Sequence, residues 1–310
     1  MRDAAIETDD LTKVFPGGVV AVNTLDLAVP RGSVYGLIGR NGAGKTTALR
    51  MIMGLLRPTR GSATVLGKDL WTATPSHRAR VTYVSQEQRL PGWMTVDELG
   101  TYASHFYPRW DAPYAEHLVD RFSLPRHLPT GLLSGGERRK AAILLALAPR
   151  PEVLVMDEPA AGLDPIARRE LVDELIDALA EGDGPTVVFS THIISDLERV
   201  ADHVGIMDRG RIVTAGALSD LQTATKRVQL IFEGDAVPTG FRLPGTVRAE
   251  VAGPVLTAVV RLQDEAQQAA IEATPNARVN FYPLGLEEIF IEIFGPEADR
   301  EFHLAGEGLR

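Results

Sequence analysis

One eight-residue stretch has the residue types and spacing needed to bind the phosphates of a nucleotide. Residues 39–46 read GRNGAGKT and fit the pattern G-x-x-x-x-G-K-[ST] at every defined position. In such a loop the glycines let backbone N–H groups close around phosphate oxygens. Lys45 would reach the β- and γ-phosphates, and the Thr46 hydroxyl would ligate Mg²⁺. The candidate phosphate-binding residues are the following: Gly39, Asn41, Gly42, Ala43, Gly44, Lys45, Thr46 and Thr47.

The segments on both sides of this loop favour a phosphate site over a chance match or a plain strand-to-helix turn. Residues 34–38 are predicted to form a short buried strand, and residues 47–52 the start of a helix. The phosphates would then lie at the positive N-terminal end of that helix. We therefore expect a nucleoside triphosphate site here.

Two adjacent carboxylates, Asp157 and Glu158, follow an apolar run at residues 153–156 that is typical of a strand buried on both faces. The carboxyl end of such a strand is where an α/β sheet binds its ligand, and alternation would point the two side chains different ways. We expect Asp157 to hold Mg²⁺ and Glu158 to act on the attacking water as general base. A solvated turn is the alternative, and the phosphate loop in the same chain weakens it.

A second glycine-containing segment, residues 133–137 (LSGGE), has two compatible interpretations. Ser134 and Glu137 form a capping box that begins a helix over residues 138–147. Gly135 and Gly136 cost that helix roughly 1 kcal/mol each relative to alanine, which makes sense if a phosphate must approach the backbone there. The helix N-terminus has several unpaired N–H groups, so a cap and an anion site can coexist.

Composition sets outer limits on the function. The chain has 310 residues, of which 45% are hydrophobic and 24% charged, so it is an ordinary globular protein with room for two domains. Its net charge of −9 offers no overall basic field for nucleic acid or anionic lipid. The absence of cysteine excludes disulfides and a cysteine nucleophile, and suits a reducing cytoplasm. The start of the chain does not resemble a secretory signal, and no membrane span is predicted.

The order of predicted elements indicates an α/β core with additions. Short alternating segments at 19–22 and 25–29 predict a small antiparallel sheet. Helical patterns dominate residues 87–150, which predicts a helical insertion before the core resumes at 153–156 and 186–190. Past about residue 220 a separate α+β unit is predicted, with elements at these positions: strands 228–232, 255–260 and 279–282, and helices 265–271 and 286–294. Residues 296–310 are predicted to be a loose tail.

Taken together, these motifs resemble the nucleotide-binding subunit of an ABC transporter, over roughly residues 5–220. Residues 39–46 match the Walker A loop, residues 133–137 the ABC signature and residues 156–158 the end of Walker B with its catalytic glutamate. Small departures from the family pattern occur at Glu137, where glutamine is usual, and at Arg40.

The resemblance also assigns roles to residues that would not attract attention alone. Gln86 matches the Q-loop glutamine, which in the family senses the metal and the γ-phosphate and faces the membrane partner. Asp164 ends the D-loop, His192 matches the switch histidine, and Phe15 stands where the family places an aromatic ring against adenine. Other interpretations stay open: Gln86 as a surface residue, His192 as a satisfied polar residue and Phe15 as a core residue.

The fold and assembly that the resemblance implies are specific. The expected fold is a P-loop NTPase core with an N-terminal antiparallel β subdomain and an inserted helical subdomain, spanning 1–220, followed by an α+β accessory domain at 221–295. In the family, the signature of one subunit contacts nucleotide bound to the other. Two ATP molecules would therefore lie between two chains arranged head to tail, and the two chains could be identical or different. Each ATP would contact Lys45, Thr46 and Glu158 of one chain. It would also contact Ser134 and Gly136 of the other chain. Glu158, His192 and Gln86 would be catalytic; Thr46, Gln86 and Asp157 would bind Mg²⁺.

A further similarity concerns the type of transporter. Residues 93–99, 106–111 and 285–290 are similar to segments of bacterial ABC-2-type exporter ATPases. This implies a motor on the cytoplasmic face of the membrane, driving a separate transmembrane permease subunit and touching the membrane only through it. Two other functions stay open: a soluble ABC-type ATPase acting on nucleic acid or ribosomes, which the net charge disfavours, and an ATP-binding regulator, which the intact Glu158 disfavours.

Overall fold

The computed structural model describes residues 4–87, 89–180 and 184–294, so the tail predicted at 296–310 lies outside the described residues. The chain divides into two compact units, Met1–Ala215 and Gly216–Arg310. The division lies beside the boundary that the sequence places at residue 220. No helix within the described ranges is both long and apolar enough to cross a bilayer.

The first unit is built from alternating strands and helices. Its strands are β1 (Ala4–Val14), β2 (Val20–Pro30), β3 (Val34–Ile38), β4 (Arg60–Val65), β5 (Val81–Val84), β6 (Val153–Asp157), β7 (Thr186–Thr191), β8 (His203–Asp208) and β9 (Arg211–Ala217). Its helices are α1 (Lys45–Ile52), α2 (Pro75–Arg78), α3 (Val96–Ser104), α4 (Ala112–Arg121), α5 (Gly135–Leu147), α6 (Pro165–Ala180) and α7 (Ile194–Leu197), with a 3₁₀ turn at Thr130–Leu132.

The predicted antiparallel sheet is present, in the order β2-β1-β4. The segments predicted at 19–22 and 25–29 lie along one continuous strand, β2, so only the predicted break between them is wrong. Asp10 and Thr24 both take positive φ, and the register between β1 and β2 shifts at this point. Such a bulge lets a strand continue through a polar pair that looks like a turn in the sequence.

A six-stranded sheet, ordered β5-β6-β7-β3-β8-β9, forms the centre of the first unit. Every residue of β3, β6 and β7 is buried, as expected for parallel strands covered on both faces. The pairing places Ile38 beside Thr191, and Asp157 beside Ser190, at the carboxyl ends of these strands. One edge of the sheet therefore collects the residues that follow three strands.

The helical insertion lies between β5 and β6 and contains α3, α4 and α5. Its buried face is apolar, including Leu118, Ile143 and Leu147. The α/β core, antiparallel sheet and helical insertion together confirm the fold class predicted from the sequence.

The second unit contains α8 (Leu218–Ala224), β10 (Thr225–Phe232), β11 (Thr246–Ala252), β12 (Val255–Arg261), α9 (Glu265–Glu272), β13 (Ala277–Pro283) and α10 (Leu286–Phe294). Its antiparallel sheet has the order β11-β12-β10-β13, around a core that includes Val228, Leu230 and Ile271. Sequence reasoning missed β11, since that edge strand buries no residue and so shows no alternation of buried and exposed positions.

Candidate active site

The loop at residues 39–44 connects β3 to α1 and needs its glycines for reasons internal to the chain. Gly42 and Gly44 have φ values of 83° and 104°, a region that L side chains rarely adopt. A Cβ atom at Gly39 would overlap the Met207 carbonyl oxygen, and one at Gly44 would overlap the Ala21 carbonyl oxygen. The sequence explains these glycines by phosphate access alone, whereas the structure also requires Gly39 and Gly44 for the close approach of neighbouring strands.

The other residues predicted to bind phosphate differ in how deeply they are buried. Asn41 is exposed, whereas Ala43 is buried and its carbonyl accepts a hydrogen bond from Gly210 N at 2.9 Å. Thr47 lies half-buried in the first turn of α1.

Lys45 is buried, with 6% of its surface exposed, and its ammonium group faces the end of β6. Its Nζ donates to the Gly39 carbonyl oxygen at 2.6 Å and lies 3.5 Å from Glu158 Oε1. A buried ammonium held this way concentrates positive charge where the loop closes.

Asp157 is fully buried at the end of β6, and its two carboxylate oxygens differ. Oδ1 accepts hydrogen bonds from Thr46 Oγ1 at 3.1 Å and from Ser190 Oγ at 2.6 Å. Oδ2 has no hydrogen-bond partner among the described residues. A buried carboxylate oxygen without a partner is costly, which makes this position suited to a cation.

Tyr83 on β5 borders the same carboxylate. Burial, together with the negative charge of Asp157, raises the pKa of Tyr83 to about 12, although Arg50 acts in the opposite direction. The phenol is therefore neutral at physiological pH.

Glu158 directly follows β6 and is buried, with a backbone φ of 51°. Its N–H donates to the carbonyl oxygen and to Oγ of Ser190, each at 3.1 Å. Its Oε2 lies 2.8 Å from His192 Nδ1, so the histidine tautomer with a proton on Nδ1 donates to it. The turn conformation, more than strand alternation, directs this side chain toward Lys45 and His192.

Gln86 and Phe15 are both exposed. The Gln86 backbone carbonyl, just after β5, accepts a hydrogen bond from Arg139 Nη2 at 3.0 Å. Phe15 lies in the turn after β1 with 37% of its surface exposed, and Lys13 Nζ is 5.4 Å from its ring centroid. The interpretation of Phe15 as a core residue is therefore wrong.

The polar groups at the start of α5 form hydrogen bonds with one another. The predicted capping box is present: Ser134 Oγ accepts from Glu137 N at 3.2 Å, and Glu137 Oε2 accepts from Ser134 N at 2.7 Å. A Cβ atom at Gly135 would have no heavy-atom neighbour within 4 Å among the described residues, and one at Gly136 would meet only Leu163 Cδ2 at 3.7 Å. Nothing in the described part of the chain thus requires glycine at Gly135.

Asp164 acts as the cap of α6. Its Oδ1 accepts hydrogen bonds from Ala167 N at 3.0 Å and from Ile166 N at 2.9 Å. These bonds, led by the one from Ala167, hold the pKa of the Asp164 carboxyl below its usual value.

Two residues that sequence reasoning missed connect the site. Ser190 bridges Asp157 and Glu158, and a polar residue near the end of the apolar strand β7 could have pointed to it. Arg139, in the first two turns of α5, donates to the carbonyl oxygens of Glu158 and Gln86. No spacing in the sequence signals that contact. Among the described residues, no group of three or more His, Asp or Glu side chains could hold a metal by itself.

Comparison with known sequences gives a consistent result. The sequence pattern of the ABC transporter family matches residues 22–161. The chain is 33% identical over 291 residues to the Nod factor export ATP-binding protein I of Cupriavidus pinatubonensis, covering 91% of this chain and 88% of the relative. It is 37% identical over 228 residues to the daunorubicin/doxorubicin resistance ATP-binding protein DrrA of Streptomyces peucetius, covering 71% and 67%. It is 27% identical over 290 residues to the ABC transporter ATP-binding protein YtrB of Bacillus subtilis, covering 94% and 98%.

Solved structures agree in fold. The ATP-binding subunit of an ABC transporter superposes with a TM-score of 0.64 and 29% identity, covering 71% of this chain and 92% of that one. The dimeric bacterial cassette MJ0796 superposes with a TM-score of 0.62 at 24% identity, covering 69% of this chain and 98% of that one. At that identity the similarity supports only the fold.

Proposed function

This chain belongs to the ABC transporter ATP-binding proteins, and we propose that it is the ATP-hydrolysing motor subunit of an exporter. Membership makes it a nucleotide-binding ATPase that works with a transmembrane component and dimerises. The roles of individual residues, the metal and the identity of the partners are the proposal.

One observation carries the proposal: Lys45, Thr46, Asp157, Glu158 and His192 come together at one edge of the central sheet, from segments far apart in sequence. The loop at residues 39–46 would hold the nucleotide phosphates, with the Lys45 ammonium neutralising the β- and γ-phosphates. Phe15 is exposed in the turn after β1, outside both the core and the strands, and is available to stack on adenine.

Magnesium fits the residues present. Thr46 Oγ1 and Asp157 would hold the ion, because Asp157 Oδ2 is buried without a partner and Thr46 lies against the other oxygen of the same carboxylate. Magnesium commonly takes one or two protein ligands plus phosphate oxygens and water, which suits a site lacking a three-carboxylate cluster among the described residues. The bound ion would neutralise charge on the phosphates, and Gln86 would complete its surroundings.

Hydrolysis then follows from the position of Glu158. The Glu158 carboxylate accepts a proton from water as the water oxygen forms a bond to the γ-phosphorus, and the bond from that phosphorus to the β–γ bridging oxygen breaks. The products are ADP and inorganic phosphate. His192 holds Glu158 Oε2, so it orients the base.

The second half of the site comes from another cassette. The start of α5 has its own capping hydrogen bond. Beside Gly135 there is space that the described part of its own chain does not fill. Ser134, Gly135 and Gly136 would therefore bind the phosphates held by a partner cassette, with Asp164 at the contact between the two chains. ATP closes this head-to-tail dimer and hydrolysis reopens it. A homodimer is the simplest assembly, and a heterodimer also completes the site.

The membrane partner would dock beside Gln86. A groove of about 1020 Å³ lies between the segment after β5 and the helical insertion, with an aromatic wall that includes Tyr102 and Phe106. Both rings are exposed. We propose that a helix of a separate permease, on the cytoplasmic face, would occupy this groove. The relatives named for export and drug resistance support the outward direction.

The test uses tagged wild type and Glu158→Gln, both purified from native membranes in mild detergent. Wild type is expected to release phosphate from Mg-ATP, and Glu158→Gln about 100-fold more slowly while still binding ATP, because only the base is lost. Both should co-purify with a multi-span membrane protein. Equal rates would contradict the catalytic assignment, and recovery of ribosomes or DNA without a membrane protein would contradict the exporter assignment.

A further inference from the structure

Arg139 joins three functional segments through backbone atoms. Its Nη1 donates to the Glu158 carbonyl oxygen at 2.7 Å and lies 3.5 Å from the Pro159 carbonyl oxygen. Its Nη2 donates to the Gln86 carbonyl oxygen at 3.0 Å. The guanidinium group therefore connects α5 to the end of β6 and to the segment after β5.

The surroundings of Arg139 show that this contact is specific. The side chain is half-buried, and desolvation lowers its pKa, while the charges of Glu158 and Asp157 oppose that shift. Arginine stays protonated in proteins and presents several N–H donors in a rigid plane. That geometry can reach two carbonyl oxygens at once, which a lysine ammonium on a flexible stem does less well.

The backbone that Arg139 holds is strained. Glu158 adopts φ of 51°, and a non-glycine residue in this region costs of order 1 kcal/mol, so it persists only where its surroundings fix it. Ser190 holds the Glu158 N–H on one side, and Arg139 holds its carbonyl on the other. The direction of the Glu158 carboxylate depends on both.

We infer that Arg139 is a positioning residue, which sets the place of Glu158 and of the Gln86 segment and so ties the catalytic edge to the helix that carries Ser134. The inference rests on the proposed ATPase function. Arg139 touches no reacting atom; it acts by fixing the backbone beside the general base. A small displacement of a catalytic group costs up to about 100-fold in rate, so losing this contact should lower turnover far more than nucleotide binding.

The test measures kcat and KM for ATP with the full chain carrying Arg139→Met or Arg139→Lys. Arg139→Met should lower kcat about 10- to 100-fold, with KM within about threefold of wild type. The kcat of Arg139→Lys should lie between those of wild type and Arg139→Met. The matched control is Lys140→Met, which removes the next cation of α5, one that binds Glu170 Oε2 at 2.8 Å instead of the catalytic edge. That control should keep kcat within about threefold.

A second measurement keeps the inference testable if Arg139→Met does not fold. Adding Arg139→Lys to Glu158→Gln should reduce the single-turnover rate less than it does in wild type, because the base that it positions is already gone. A kcat within about threefold of wild type for Arg139→Met, a change in KM alone, or the full loss in the double variant would each overturn the inference. If wild type does not hydrolyse ATP, or if Glu158→Gln hydrolyses it at the wild-type rate, the result contradicts the proposed function and not the role of Arg139.

Discussion

The carboxyl edge of the central sheet and the start of α5 both present polar groups suited to phosphate, yet they are built differently. At the sheet edge, Lys45, Asp157 and Glu158 are buried and contact one another or Ser190 and His192. At the start of α5, Ser134 is exposed and bonded within its own capping box, and Gly135 faces open space among the described residues. The first region is supported by contacts within the chain, whereas the second leaves space that the described part of its own chain does not fill.

Substitutions at Gly44 and Gly135 test the difference between the two regions most directly. Gly44→Ala should have the largest effect, because its Cβ would overlap the Ala21 carbonyl oxygen and its φ of 104° is strained for alanine. We expect a loss of about 3 kcal/mol or more in the free energy of unfolding, or failure to fold, since close packing cannot absorb the overlap. Denaturant unfolding measures this.

Gly135→Ala is the matched substitution in the other region. Its Cβ has room, and alanine favours a helix by up to about 1 kcal/mol, so the free energy of unfolding should stay the same or rise. ATP hydrolysis and ATP-dependent dimerisation should nevertheless fall at least about tenfold, because the methyl group would stand where a partner's phosphate approaches. Full activity in a stable Gly135→Ala chain would remove the reason to treat α5 as half of a shared site.

Ser190 tests how far the sheet edge depends on internal support. Ser190→Ala removes the hydrogen bond to Asp157 Oδ1 at 2.6 Å and one acceptor for Glu158 N. Hydrogen bonds to charged groups contribute about 1.5–3 kcal/mol, so we expect a loss of about 2 kcal/mol in unfolding free energy and a lower kcat. Ser33→Ala is the control, since Ser33 Oγ donates to the Pro30 carbonyl oxygen away from the site at 2.7 Å. It should cost about 1 kcal/mol and leave kcat unchanged; equal effects of the two on kcat would contradict this view.

The sequence predicts the sheet edge well because its chemistry is local. The phosphate loop and the Asp157–Glu158 pair each lie within a few residues, and parallel strands bring such segments together without further information. Ser190 and Arg139 were missed because their roles depend on contacts across 32 and 19 positions, which no spacing reveals. The exposed strand β11 escaped for a different reason, since it buries nothing and so carries no periodic signal. The features that neighbouring residues specify could thus be predicted from the sequence. The long-range contacts that hold those features in place could not.

Tyr83 provides the smallest expected effect and a check through pH. Burial first, and Asp157 second, raise the pKa of Tyr83 to about 12, against about 10 for a tyrosine in an unfolded chain. Between these values the folded state keeps a proton that the unfolded state has lost, so stability falls as pH rises through this range. Tyr83→Phe lacks that group and should lose less stability between pH 9 and pH 11, by up to about 1 kcal/mol after allowance for solvent screening. Melting temperatures of both chains at the two pH values measure the difference. A fall that is identical in both would mean that the Tyr83 hydroxyl is not held neutral beside Asp157, and that the sheet edge is less enclosed on the β5 side than its other contacts indicate.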